Sequence, residues 1–361
     1  MKEEIDYSTC LCGSGLPYKD CCQGKLDPTN EKLHKALMQE FNKKRGSYKK
    51  ICLHPLKSDC YQQKIGAHTI SRKSVLTLIS RNNKVLMPVL RGINNELKME
   101  ALGIKSDATK LNCFCKLHDE MFHPIDMLNV ELSEKNIFLY AYRAFAGTYY
   151  KTMREVSIHE DLSQKYDFTL MPQTIFLQES MKRWIVELDD CRKIFDDAII
   201  HQNYSVLDSL CYTLPYSVSF AVSSCFPVVF DVYGSPIPHK DDLMQMVYIS
   251  VIPDKEESKI IFSWLKRDSS IYATFKRQLD IVPKHFFAKY LNNLLPLSCE
   301  NMVVSPDLWD SWSTDAQNEF IYKAHYGWYL RRTPASYFTE TETEYDLFED
   351  INKKDDFIVG P

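Results

Sequence analysis

Eight of the twelve cysteines fall before residue 116, at positions 10, 12, 21, 22, 52, 60, 113 and 115. That distribution constrains the fold more than any other feature of the chain. The start of the chain, Met1-Lys2-Glu3-Glu4, is charged and no apolar stretch of signal-peptide type follows it. The most apolar stretch, Tyr212 to Tyr233, is broken by Pro215 and Pro227. It falls short of the roughly 20 uninterrupted apolar residues that span a bilayer. The expectation is a cytoplasmic chain with no membrane partner, in which thiols stay reduced. Cysteines clustered this tightly in a reduced compartment point to metal rather than to disulfides.

The first cluster reads Cys10-Leu-Cys12-Gly-Ser-Gly15-Leu-Pro-Tyr18-Lys-Asp-Cys21-Cys22. Four thiolates suit the tetrahedral demand of a structural Zn²⁺ ion, at about 2.3 Å per bond. A closed four-sulfur site leaves no position for a reacting water, so the role expected for it is structural. Gly13 and Gly15 let the backbone turn tightly beneath the sulfurs. Residues 1–26 are too few to bury a core, so metal binding would supply the folding free energy, on the order of 10–16 kcal/mol in zinc-finger peptides. The segment from 10 to 24 resembles the SEC-C motif, a small zinc module also found at the tail of the bacterial preprotein translocase motor. The last ligand varies in that family and is Cys22 here. The resemblance implies docking on a protein or ribosomal surface without naming the partner.

The second group is more dispersed. Cys52 and Cys60 precede His68 in Gly66-Ala67-His68-Thr69-Ile70-Ser71, and Cys113-Phe-Cys115-Lys-Leu-His118-Asp119 comes much later. A pair of ligands, a histidine in an apolar-flanked strand and a second pair opening a helix is an order that resembles the HNH or ββα-metal nucleases, a treble-clef variant. The resemblance implies a second structural zinc on Cys52, Cys60, Cys115 and His118. It also implies His68 as the base that activates water, and Asp119 as a ligand of Mg²⁺ or Mn²⁺, ions that favour hard oxygen donors. Nucleic acid would be the substrate, in a setting such as bacterial defence. Ala67 stands where that family carries an acidic residue or histidine, and the spans from Cys52 to Cys60 and from His68 to Cys115 are long. The stretch from 50 to 150 is also similar to bacterial proteins with a His-Thr/Ser-Ile segment followed by Phe-Cys-x-x-His-Asp-x-x-Phe, here Phe114 to Phe122. His68 reads equally as a zinc ligand or a buried, hydrogen-bonded histidine, and Asp119 as a helix cap. Cys113, His123 and His54 are spare ligands.

Other features are weaker. Arg154 and His159 have the Arg-x-x-x-x-His spacing of HEPN ribonucleases, or simply lie on a solvated helix face. The basic run Lys43, Lys44, Arg45, Lys49 and Lys50 suits phosphate contact or helix surface. A formal charge of −4 selects no partner. No glycine-rich phosphate loop or Gly-x-Ser-x-Gly elbow is present, so nucleotide binding of those kinds has no support in the sequence.

The organisation expected is α+β: an N-terminal zinc knuckle (1–26), a helical spacer (27–50), a treble-clef, ββα-metal-like domain (51–130), a helical region (131–210), a β-rich C-terminal region closed by helices (211–337) and a frayed acidic tail (338–361). Helices are expected over 133–165 and 173–209 from their apolar spacing. Strands are expected at Ser217–Val222, Val228–Val232, Met246–Ile252 and Ile260–Trp264.

Overall fold

The structure is a computed structural model that describes residues 9–60, 64–91, 96–240, 245–326, 335–339, 342–348 and 358–360. In chain order its elements are α1 (Tyr18–Cys21), α2 (Glu31–Gly46), β1 (Lys64–His68), α3 (Thr77–Ile79), β2 (Lys84–Arg91), β3 (Glu96–Gly103), β4 (Lys110–Cys115), α4 (Lys116–Asp119), α5 (Glu134–Ser163) and α6 (Pro172–His201). There follow β5 (Leu207–Leu214), β6 (Phe220–Phe226), β7 (Val247–Pro253), β8 (Ser258–Leu265), α7 (Ser269–Ile281), α8 (Lys284–Ser298), β9 (Met302–Val304), α9 (Pro306–Ser311), α10 (Thr314–Tyr326), α11 (Ser336–Thr339) and β10 (Ile358–Gly360). The fold is α+β, as the sequence implies. Among the described residues no helix is long and apolar enough to cross a membrane.

The chain forms two compact units, and α5 and α6 each give one end to each of them. In the first unit the described residues are 9–49 and 149–188. Helix α2 begins where the Asn30 side chain accepts from the backbone N–H groups of Lys32 and Leu33, which satisfies two donors that a helix start leaves unpaired. Leu37 then buries against Ile158, Leu162, Tyr166 and Phe168. The basic end of α2 is not bare: Arg45 makes a two-pronged pair with Glu155, at 3.1 and 2.9 Å, and Lys44 lies 3.3 Å from Asp161. Burial opposes the charge on Glu155, but Arg45 and Arg154 outweigh it and hold the carboxyl below its ordinary range.

The second unit is built on an eight-stranded sheet in the order β10-β5-β8-β7-β6-β9-β2-β3, with every neighbouring pair antiparallel. Strands β2 and β3, from the stretch read as a zinc domain, are thus part of the sheet formed by the β-rich region. On one face Tyr212, Val222, Phe262 and Trp264 share a core with Ile271, Phe275, Phe287 and Leu291 of α7 and α8. On the other, Tyr248 of β7 meets Phe145 of α5 and Phe195 of α6, with ring centroids 6.4 and 5.2 Å away. Both faces are therefore covered, which is why β6 is buried at every position, Ser223 and Ser224 included, and shows no alternation of buried and exposed residues.

Several boundaries differ from those expected. The first predicted strand lies later, at Phe220–Phe226. Val228–Val232 is not a strand. Pro227 cannot donate to a ladder, and Asp231 instead accepts from the N–H groups of Tyr233 and Ser235 to close a turn. The second long helix stops at His201, and Leu207–Leu214 is β5. Tyr345, Leu347 and Phe348 are buried, so a frayed tail does not describe residues 342–348. The Tyr345 hydroxyl donates to the Asn292 carbonyl at 2.7 Å, and the Asn292 side chain accepts from the Leu347 N–H. Apolar residues between the acidic ones carry that segment into the core. Glu340, Glu349 and Asp350, like Trp328 and Tyr329, lie outside the described residues.

Candidate metal centres

The first centre is assembled almost entirely by local turns. The Cys10 N–H donates to the Leu16 carbonyl at 2.6 Å and the Gly13 N–H to the Cys10 carbonyl at 3.2 Å. This closes a loop in which Gly13 and Gly15 adopt φ of +80° and +75°, a region open to glycine at little cost. The single turn of α1 then delivers Cys21, with Cys22 as its cap. The four sulfurs lie within 4.8 Å of one another. Cys12 and Cys21 are 3.3 Å apart, and Cys21 and Cys22 3.7 Å. Four thiolates around one zinc at 2.3 Å would lie about 3.8 Å apart, so the donor set fits the ion. Burial opposes the Cys12 thiolate, yet bonds from Ser14 and the neighbouring thiols hold its pKa down at about 6. Lys25 places its ammonium 3.6 Å from the Cys22 sulfur, which offsets thiolate charge from outside the coordination shell.

The module is tied to the rest of its unit. The Tyr18 hydroxyl donates to Asp167 at 2.6 Å, and Lys25 to the Ser163 carbonyl at 2.7 Å. Leu26 forms a parallel bridge with Tyr166, through Leu26 N–H to the Lys165 carbonyl and Asp167 N–H to the Leu26 carbonyl.

The second centre depends on residues far apart in the chain. Backbone bonds from Ile51 and Leu53 to the carbonyls of Asn112 and Cys113, both 2.9 Å, lay the 51–53 segment along β4. That brings Cys52 up to Cys115, the residue before α4, while His118 follows one turn later. Cys60 caps the short turn Lys57–Asp59, and Lys57 bonds back to the Cys52 carbonyl. The sulfurs of Cys52, Cys60 and Cys115 lie 3.4, 3.5 and 3.4 Å from Nδ1 of His118. A zinc with ordinary Zn–S and Zn–N bonds in tetrahedral geometry sets that separation at about 3.5 Å. Three sulfurs equidistant from one ring nitrogen therefore fit a common ion. Burial lowers the His118 pKa, favouring the neutral ring that can ligate, and pushes the Cys60 thiol up to about 11. The His54 ring stacks on His118 at 3.8 Å, with 8° between planes. Its Nδ1 accepts from the Leu56 N–H at 3.3 Å. His54 thus packs against a ligand rather than joining the donor set. Cys113 is buried and His123 lies on the following turn, and neither belongs to a donor cluster among the described residues.

Around this centre, β1 and β4 pair antiparallel and lead into α4. The strands between them leave for the large sheet, however, and α4 has only four residues. His68 ends β1, its Nε2 3.0 Å from the Ile104 carbonyl. Donation through Nε2 leaves Nδ1 as the unprotonated nitrogen, and burial lowers the pKa of the ring. Burial also raises the Asp119 pKa against the pull of Arg143. Neither His68 nor Asp119 belongs to a group of three or more metal donors among the described residues.

Arg143 is a residue that motif reading passed over. Its side chain is buried, pairs with Asp126 at 2.7 Å and lies over the Phe122 ring at 4.4 Å. Its charge acts on both His68 and Asp119. The signal was an arginine inside the apolar run Phe138 to Phe145. The other charged pair, Arg154 and His159, is divided: Arg154 pairs with Glu155, and His159 with Gln178.

Comparison with known proteins adds one assignment. Residues 8–24 match the SEC-C motif family. No curated protein and no solved structure matches the chain significantly. The family match and the four-sulfur cluster coincide, and together they mark the N-terminal segment as a zinc-binding motif.

Proposed function

We propose that this protein is a non-catalytic, zinc-scaffolded binding protein that docks on a protein or ribosomal surface through its N-terminal module. The observation that carries this reading is that each donor cluster supplies four ligands. A zinc so held has no open position for water and acts by tying chain segments together. In the first centre the ion replaces a missing core; in the second it joins the Cys52–Cys60 loop to the β4–α4 corner. The test is metal analysis of the purified full chain, with two zinc ions per chain expected. One ion or none, with the fold intact, overturns the reading.

A second reading is an HNH-like, metal-dependent nuclease with His68 as base and Asp119 as the Mg²⁺ or Mn²⁺ ligand. Its support is that His68 is oriented through Nε2 and that Asp119 makes no hydrogen bond among the described residues. Both lack the further donors that a catalytic divalent ion would need. Incubation with plasmid DNA and RNA in Mg²⁺ or Mn²⁺ separates the two readings. Cleavage by the wild type that is lost in His68→Ala would replace the scaffold reading with this one.

A further inference from the structure

We infer that the cleft between the N-terminal zinc module and helices α5 and α6 is a zinc-dependent binding site for a basic peptide segment. The cleft holds about 360 Å³, far more than the ion beside it needs and enough for a long side chain with its adjoining peptide group. It lies wholly within the first unit.

The charges that line it are unequally matched. Its two lysines are committed. Lys25 donates to the Ser163 carbonyl and sits against the Cys22 sulfur, and Lys182 pairs with Glu179 at 3.2 Å. The carboxylates of Asp20 and Glu160 have no hydrogen bond or ion pair among the described residues. A zinc tetrathiolate beside them carries further net negative charge. Both acidic side chains are solvent-exposed, so a cation entering the cleft meets hydrated carboxylates that have no partner within the protein among the described residues.

The neutral groups narrow the class. Gln178 donates through its amide nitrogen to Nδ1 of His159, 3.2 Å away. This puts the imidazole hydrogen on Nε2, a donor with no protein acceptor among the described residues. The Gln178 oxygen remains an acceptor. Burial lowers the His159 pKa, so the ring is a neutral donor rather than a competing cation. A lysine or arginine side chain supplies the cation, and the peptide carbonyl next to it supplies an acceptor for His159. A free polyamine offers only the first.

The zinc module forms one wall of the cleft, held by the Tyr18–Asp167 bond and the Leu26–Tyr166 bridge. Loss of the ion would unfold that wall and abolish the site. This goes beyond the scaffold reading, since two ions can be bound while the cleft binds nothing.

The experiment uses the full, zinc-loaded chain, with a fluorescently labelled arginine-containing hexapeptide and spermidine as probes. Zinc content and melting temperature are measured on the same samples. The peptide is expected to bind saturably, more weakly as salt rises. Its affinity should fall by roughly tenfold in the Asp20→Asn, Glu160→Gln double variant and below detection in Cys12→Ser. Asp307→Asn, outside this unit, is the unchanged control. Absence of peptide binding at millimolar concentration, equal affinity in the double variant, or spermidine binding as tightly as the peptide would each overturn the proposal. Because zinc content is read separately, its failure is distinct from failure of the two-zinc architecture.

Discussion

The two donor clusters use the same coordination chemistry in opposite structural settings. Among the described residues, the first lies in a segment held otherwise by a few turns, the Tyr18–Asp167 and Lys25–Ser163 hydrogen bonds and a single bridge. The second lies where the two-stranded β1–β4 sheet runs into α4, in a unit whose large apolar core is built on a separate eight-stranded sheet. A metal ion held at each cluster would supply the folding free energy in one case and act as a clamp on an existing scaffold in the other. The same contrast separates the two units. The core around Leu37 comprises five buried residues, whereas the large core draws on five strands and several helices.

Removal of zinc tests that contrast most severely. A strong chelator should erase hydrogen-exchange protection across residues 10–26, a loss corresponding to on the order of 10–16 kcal/mol of metal-linked stability. The amides of β6, β7 and β8 should stay protected. Equal loss in both regions would show that the sheet too depends on the metal. The next largest effects come from emptying each core. Phe262→Ala should cost about 3–5 kcal/mol and Leu37→Ala about 2–5 kcal/mol, read by denaturant unfolding. The Leu37 change should expose α2 to proteolysis while the sheet remains protected. If it unfolds both units together, the separation is wrong.

Acid titration sharpens the comparison from the first unit's side. The folded pKa of Glu155 is depressed, so its contribution is fully present above the ordinary glutamate value of about 4.3 and is lost as pH falls through the lower folded value. Unfolding measured between neutral pH and pH 3 should show that dependence, and Glu155→Gln should flatten it at a cost of about 1–3 kcal/mol. The smallest effect belongs to the second unit's exposed pairs. Arg81 reaches Asp307 and Asp310 at 2.9 and 2.5 Å but is open to solvent. Arg81→Ala should leave the melting temperature where it was; a clear drop would give surface charge a weight that the apolar core does not need.

The first centre was legible because its ligands sit within thirteen residues of one another, and two glycines make the turn that joins them. The helices around 134–163 and 172–201 were legible from apolar spacing, and β7 and β8 from apolar runs; β6, interrupted by Ser223 and Ser224, was legible only in its first half. The path of β2 and β3 was not. Val85 and Met87 look the same in sequence whether they face a small zinc domain or, as here, a core shared with Ala221 and Val303. Nor was β5 distinguishable from the end of a long helix before its partner β8 was known. The burial of Tyr345 and Phe348 was hidden by the acidic residues around them, since side-chain composition alone does not reveal a cavity waiting in another part of the fold.

By itself the sequence determined the donor chemistry: sulfur and imidazole in two groups of four, the first complete within a local loop. Only the tertiary structure decided that Cys115, and not Cys113, completes the second group, that His54 stacks on a ligand instead of becoming one, and that Arg143 acts on both His68 and Asp119. The physical reason is one of range. A tight turn brings near neighbours together whatever the rest of the chain does, but Cys52 and His118 meet only because backbone pairing along β4 has already brought their segments side by side.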